Sequence, residues 1–182
     1  MSLVNKNLLI NIDLLLDKIV ARDSDKVADL GCGGFGYFVF PLAKRIGKHG
    51  KIYAVDIIKA NLENIKKTAS LENLSQIETV WGDLEVVGST KIEDNSLDSV
   101  LIVSVLSQAD NYVNILKEAK RVLRRDGKML IVDWNDSKSP FDINPEKRLN
   151  KEVLKKTADD LDLQIAEDFP AGKYHYALLL IK

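Results

Sequence analysis

Val27-Ala28-Asp29-Leu30-Gly31-Cys32-Gly33-Gly34-Phe35-Gly36 is the stretch on which the fold of this chain turns. A short apolar run closed by glycines predicts a buried parallel strand that feeds a loop whose backbone can approach a ligand without Cβ atoms in the way. Twenty residues after Gly36, Lys51-Ile52-Tyr53-Ala54-Val55-Asp56 predicts a second strand with a carboxylate at its tip, suited to accept hydrogen bonds from ribose hydroxyls. Gly31 to Gly36 also fits the G-x-G-x-x-G pattern that cradles a pyrophosphate. Asp29 argues against two phosphates at that place, because a carboxylate beside the loop favours an ammonium or sulfonium cation. An ordinary turn cap is the alternative role for Asp29, and a strand-end cap for Asp56.

Outward from that stretch, strands alternate with helices. Leu8, Leu9, Ile12, Leu15, Leu16 and Ile19 recur at helical spacing and predict an amphipathic helix ahead of the first strand, residues 26–30. Helices are predicted at 37–46, 61–71, at 111–123 with Asp110 as cap, and near 150–160; strands at 51–55, 77–81, 97–103 and 128–132. Residues 135–148, polar and holding Pro140 and Pro145, predict a long loop. Residues 163–169 and 174–181 predict a closing antiparallel pair around Pro170-Ala171-Gly172, since strands joined by so short a connection cannot be parallel. Tyr174 and Tyr176 then share one face of the last strand and His175 takes the other.

Composition agrees with one core. At 182 residues and 46% hydrophobic, the chain is expected to form a single domain, residues 1–24 a helical segment and 25–182 the α/β core. A net charge of −1 supplies no basic field for nucleic acid. The lone Cys32, with neither a signal peptide nor an apolar span near twenty residues, predicts a cytoplasmic protein without a membrane span. No G-x-S-x-G elbow, P-loop lysine or zinc-spaced Cys/His set is present, so hydrolase, kinase and metal chemistry find no footing and no metal is expected.

Together with Gly82-Asp83-Leu84, the strand 97–106 and the helix–turn–strand 116–134, these motifs resemble the class I S-adenosylmethionine-dependent methyltransferases, in the small-molecule branch of the ubiquinone and menaquinone enzymes. The resemblance covers most of the chain. It implies a Rossmann-like, doubly wound, mostly parallel seven-stranded sheet whose last strand inserts antiparallel between the fifth and sixth. It also implies S-adenosylmethionine as cofactor, which carries both cations that Asp29 favours, and direct methyl transfer to a small molecule. Asp29, Gly31, Cys32, Gly33, Gly34 and Gly36 would hold the methionine part, Asp56 and Ile57 the ribose side, and Gly82, Asp83 and Leu84 the adenine. Ser104, Val105, Asp133, Trp134 and His175 would border the methyl and its acceptor, with His175 and Asp133 the candidate catalytic groups.

Two departures from the family pattern stand out. Phe35 interrupts the glycine alternation, so Gly34 and Gly36 compete for the last close approach, and Phe35 either covers the methionine portion or enters the core. Where quinone-pathway relatives often carry Asn and a His pair, this chain has Ser104, Ser107 and Gln108. A nicotinamide-dependent oxidoreductase would use the same glycines, but no Tyr-x-x-x-Lys pair accompanies them; a cofactor-binding protein without turnover is the other alternative.

Overall fold

The computed structural model describes residues 10–19, 22–139 and 145–182. Its element order is α1 (Ile12–Ile19), β1 (Lys26–Leu30), α2 (Val39–Ile46), β2 (Lys51–Asp56), α3 (Lys59–Leu71), β3 (Ile77–Trp81), β4 (Leu97–Val103), α4 (Tyr112–Val122), β5 (Leu123–Trp134), α5 (Lys151–Asp160), β6 (Gln164–Gly172) and β7 (His175–Ile181). Short 3-10 turns occupy Leu106–Gln108 and Pro145–Lys147. Leu8 and Leu9 of the expected first helix, and 140–144 of the expected long loop, lie outside the described residues.

One seven-stranded sheet runs β3-β2-β1-β4-β5-β7-β6. β1 pairs in parallel with β2 and β4, β2 with β3, and β4 with β5, while β7 lies antiparallel to both β5 and β6. The inserted last strand is therefore where the family pattern anticipates it. Central β4 reads Leu-Asp-Ser-Val-Leu-Ile-Val because both of its faces are covered, as in other parallel sheets packed between helices. On one face Leu15, Leu16 and Ile19 of α1 and Val39, Leu42 and Ile46 of α2 pack over Val27, Leu101, Leu130 and Val132. On the other, Leu116, Ala119 and Val122 of α4 and Leu154 of α5 cover Ala28, Val100, Ile131 and Leu178. Each fully buried Leu or Ile contributes about 1.5–3 kcal/mol, so these two layers hold the strand ends in place.

Three local expectations change. Asn111, not Asp110, caps α4, its side chain accepting from Asn114 N–H, while the Asp110 and Asn111 N–H groups themselves turn toward Glu85. β5 is longer than its hydrophobic run, because Leu123 already pairs with Leu97 and the chain bulges at Asp126 (φ 59°) before pairing resumes at Lys128. The turn between the last two strands sits at Lys173-Tyr174, not at Pro170-Ala171-Gly172. β6 is the sheet edge, where a proline with no N–H costs no ladder bond, and a register shift between Pro170 and Gly172 absorbs it.

Candidate active site

The carboxyl ends of β1 to β5 and the amino end of β7 gather the predicted residues along one edge of the sheet. At the end of β1, Gly31 turns at φ 84° and the Gly31 and Cys32 N–H groups donate to Val55 O at 2.8 and 3.0 Å. Gly33 N–H donates to Asp56 Oδ2 at 2.9 Å, which ties the loop to β2. A Cβ at Gly31 would lie 2.4 Å from Val105 Cγ2, so this glycine is demanded by packing. Gly33, at φ 63°, has nothing within 4 Å of its would-be Cβ, and its backbone borders open space.

Neither Gly34 nor Gly36 has room for a Cβ. Gly36 (φ 59°) lies under Phe40 and Ile65, which its Cβ would meet at 2.5 and 2.7 Å, whereas Gly34 rests against Asn61. Phe35, by contrast, does not enter the core: it is 80% exposed and its ring meets Tyr37 at 5.7 Å between centroids.

Two carboxylates face this loop in different states. Asp56 is buried, with Oδ1 accepting from Ile58 N–H at 2.8 Å and Oδ2 from both Gly33 N–H and Asn61 Nδ2. Lone-pair capacity remains on Oδ1 for a further donor. Beside it, Ile57 is exposed, and its carbonyl is capped by Trp81 Nε1 at 2.9 Å. Asp29 is buried too, but its Oδ2 has no hydrogen-bond partner among the described residues. Burial, reinforced by the nearby Asp56 charge, pushes its carboxyl up to about 7. The same burial and the two carboxylates raise the Cys32 thiol above its usual range, so Cys32 is no nucleophile near neutral pH.

On the next loop, Gly82 N–H approaches Asp56 O at 3.4 Å and Asp83 Oδ1 accepts from Glu85 N–H at 3.0 Å, while Leu84 is buried in the α4-side core. Asp83 is thus a turn former as well as a site candidate.

At the tip of β4, Ser104 takes a left-handed backbone (φ 54°), a cost of about 1–3 kcal/mol for a residue other than glycine, and its N–H is held by Val132 O at 2.8 Å. Asp133 Oδ2 accepts from Ser107 N–H at 3.1 Å and Oδ1 from Trp134 N–H at 2.8 Å. Burial raises the Asp133 carboxyl, and these two hydrogen bonds partly offset it. Trp134 pairs with His175 across the antiparallel ladder, and the two rings sit 4.3 Å apart. Trp134 Nε1 is buried without a partner among the described residues. Tyr176, on the opposite face from His175, donates to Leu149 O at 3.2 Å; burial and then the Asp133 charge raise its hydroxyl above the usual range.

One buried charged cluster escaped the sequence. Glu118 of α4, fully buried, accepts from Gly88 N–H and Thr90 Oγ1 at 2.6 Å each and forms a bidentate pair with Arg121 at 2.8 Å. Burial by itself would raise this carboxyl; the bonds from Arg121, Thr90 and Gly88 more than offset it and pull it down to about 2. Glu118 and Arg121 at i, i+3 read as an ordinary helix pair, and nothing local reveals that their partners lie in the β3–β4 loop. A hollow of about 640 Å³ beside the amino-terminal half of β3, lined by Lys66, Ser70, Asn73 and Glu78, holds none of the predicted residues.

A buried carboxylate with one oxygen unpartnered among the described residues, ahead of a glycine loop and with a second carboxylate one strand away, has the charge to suit a cationic nucleoside. The methyltransferase domain family matches residues 21–174. The chain belongs to this family. Within it, the chain is 33% identical over 120 residues to a demethylmenaquinone methyltransferase of Staphylococcus aureus (strain JH9), covering 65% of this chain and 47% of the relative. It is 30% identical over 115 residues to the 2-phytyl-1,4-naphtoquinone methyltransferase of Trichormus variabilis, covering 63% and 49%. The chain thus spans about half the length of these curated relatives. Among solved structures, a SAM-dependent methyltransferase from Aquifex aeolicus shares the fold at TM-score 0.85 and 20% identity, over 95% of this chain and 90% of that one. No helix among the described residues is long and apolar enough to cross a membrane.

Proposed function

We propose that this chain transfers a methyl group from S-adenosylmethionine to a small-molecule acceptor in the cytoplasm. The observation that carries the reading is Asp29: a buried carboxylate with one oxygen unpartnered among the described residues, four residues before Gly33, whose backbone borders open space. A bound ammonium satisfies that oxygen and compensates the buried charge, whereas a pyrophosphate would add repulsion. Asp56 and Ile57 would hold the ribose side, Gly82, Asp83 and Leu84 the adenine side, and Asp29 with Gly31, Cys32, Gly33, Gly34 and Gly36 the amino-acid end. Ser104 would border the methyl.

Bound there, S-adenosylmethionine supplies an electrophilic methyl on a sulfonium, which an acceptor displaces in line as the C–S bond breaks. The chain's contribution is chiefly orientation and exclusion of water, which can supply much of the rate. Both oxygens of Asp133 accept backbone N–H bonds, which supports a positioning role that fixes Ser107 and Trp134. His175, buried against Trp134, would wall the acceptor or take its proton. The names of the relatives support a planar aromatic acceptor, and the near-zero net charge supports a small molecule over nucleic acid.

A thermal-shift comparison tests the cofactor: S-adenosylhomocysteine raises Tm and NADH does not. Methyl transfer to a panel of quinols, phenols, thiols and amines then tests turnover. A Tm rise with NADH alone would contradict the reading, and cofactor binding with silence across the panel would leave a binding protein.

A further inference from the structure

Trp134 ends β5 with an unusual debt. The residue is 9% exposed, yet Nε1 has no partner among the described residues. Indole is a donor only, and a buried donor left unsatisfied costs about 1–3 kcal/mol. The chain's other tryptophan, half-exposed Trp81, has found a carbonyl, that of Ile57. Trp134 has little freedom to do the same. Its backbone N–H is held by Asp133, its ring lies against His175, and its strand is paired with β7 through Val132–Ala177, Asp133–Tyr176 and Trp134–His175.

The placement is as informative as the missing bond. Alternation along β5 puts Trp134 on the face of Leu130 and Val132, which pack under α1 and α2. Leu130 pairs with Leu101 and Leu101 with Asp29, so Trp134 and Asp29 share that face. An acceptor (Asp29 Oδ2) and a donor (Trp134 Nε1), both unpartnered among the described residues, therefore stand on one side of the sheet near the same edge, with β4 between their strands. A cationic donor of methyl groups satisfies the first. The second requires a lone pair on the molecule that receives the methyl.

We propose that the Trp134 indole N–H selects the acceptor, by donating a hydrogen bond to a carbonyl or hydroxyl oxygen on a planar ring that lies beside the Trp134–His175 pair. This deepens the methyl-transfer reading and rests on it. Trp134 acts as a specificity residue: an acceptor with no oxygen to offer leaves the N–H buried and unpaired, and is disfavoured accordingly.

With two tryptophans in the chain, indole-¹⁵N labelling gives two Nε1–H resonances, which Trp134→Phe and Trp81→Phe assign. In protein saturated with S-adenosylhomocysteine, 2-methyl-1,4-naphthoquinone moves the Trp134 resonance downfield, and naphthalene, which has the rings without the oxygens, does not. Trp134→Phe binds the quinone about tenfold more weakly, the loss of one hydrogen bond of about 1.4 kcal/mol, with affinity for S-adenosylhomocysteine unchanged. A Trp134 resonance that the quinone leaves in place, through weak binding or binding elsewhere, overturns the proposal, as does equal movement by naphthalene. If Trp134→Phe does not fold, the shift on the wild-type chain decides alone. Failure of S-adenosylhomocysteine to bind would instead overturn the methyl-transfer reading, a separate result from the same samples.

Discussion

A carboxyl group buried without a partner stays protonated until pH forces it to ionise, and Asp29 is such a group, pushed up to about 7 from an ordinary 3.8 by burial and the Asp56 charge. Between those two values the unfolded chain has lost the proton and the folded chain keeps it. Stability therefore falls as pH rises from about 4 to above 7, and is unaffected by this group below that window. Asp29→Asn removes the titration: thermal melts should converge with wild type near pH 4 and favour the variant by roughly 2–4 kcal/mol at pH 8. Ligand binding runs the other way, because a cationic amine needs the ionised form. Calorimetry should find S-adenosylhomocysteine binding weakening as pH drops through about 7 in wild type, and a flat, weak profile in Asp29→Asn. The glycines separate cleanly. Gly31→Ala drives a Cβ into Val105 at a positive φ and should lower stability by about 1–3 kcal/mol, read from a denaturant melt. Gly33→Ala meets no neighbour and should pay only for its backbone angle, about 1 kcal/mol, while losing ligand affinity by tenfold or more. At this scale Asp29, Gly31 and Asp56 were legible, because strand-tip chemistry is local. The exposure of Phe35 was not: its fate depends on Tyr37 and on the crowding of Gly36 by Phe40 and Ile65, which no spacing rule encodes.

Elements carry the next layer of control. The β3–β4 loop is fastened to α4 at several points: Glu85 receives Asn111 N–H at 2.6 Å, Glu118 receives Gly88 N–H and Thr90 Oγ1, and Arg121 holds Ile92 O at 2.7 Å. The loop bears Asp83 and Leu84, and α4 follows the turn bearing Ser107, so the clamp joins the expected adenine side to the expected acceptor side. Glu118→Gln keeps the shape but weakens its bonds to Arg121. It should lower affinity for S-adenosylhomocysteine about tenfold at temperatures well below its melt, whereas Glu118→Ala, which takes the buried acceptor from Gly88 N–H and Thr90 while Asp94 still pairs with Arg121, should cost about 2–4 kcal/mol of stability. Equal ligand affinity in wild type and Glu118→Gln would show the cluster to be structural only. Strand and helix existence was legible from periodicity throughout. Boundaries and caps were not, since Asn111 displaced Asp110 only because Glu85 captures the backbone there, and the β6–β7 turn moved because an edge strand tolerates Pro170.

The whole molecule is a sheet covered on both faces, with its candidate ligand edge formed by the tips of β1 to β5 and β7. The order β3-β2-β1-β4-β5-β7-β6 was readable once the motif order suggested the family, because an antiparallel last strand must enter where β5 has a free side. The acceptor end was less readable: Trp134 and His175 meet only through the inserted β7, forty-one positions apart in sequence. The account's central claim is that the buried Asp29 charge recognises the amino-acid end of an adenosyl ligand. Calorimetry on wild type and Asp29→Asn with S-adenosylhomocysteine and with 5′-methylthioadenosine, which lacks the ammonium, tests it directly. The prediction is tight binding of S-adenosylhomocysteine to wild type, a loss of at least about tenfold in Asp29→Asn, and no such loss for 5′-methylthioadenosine. Equal loss for both ligands, or no loss for either, would contradict it.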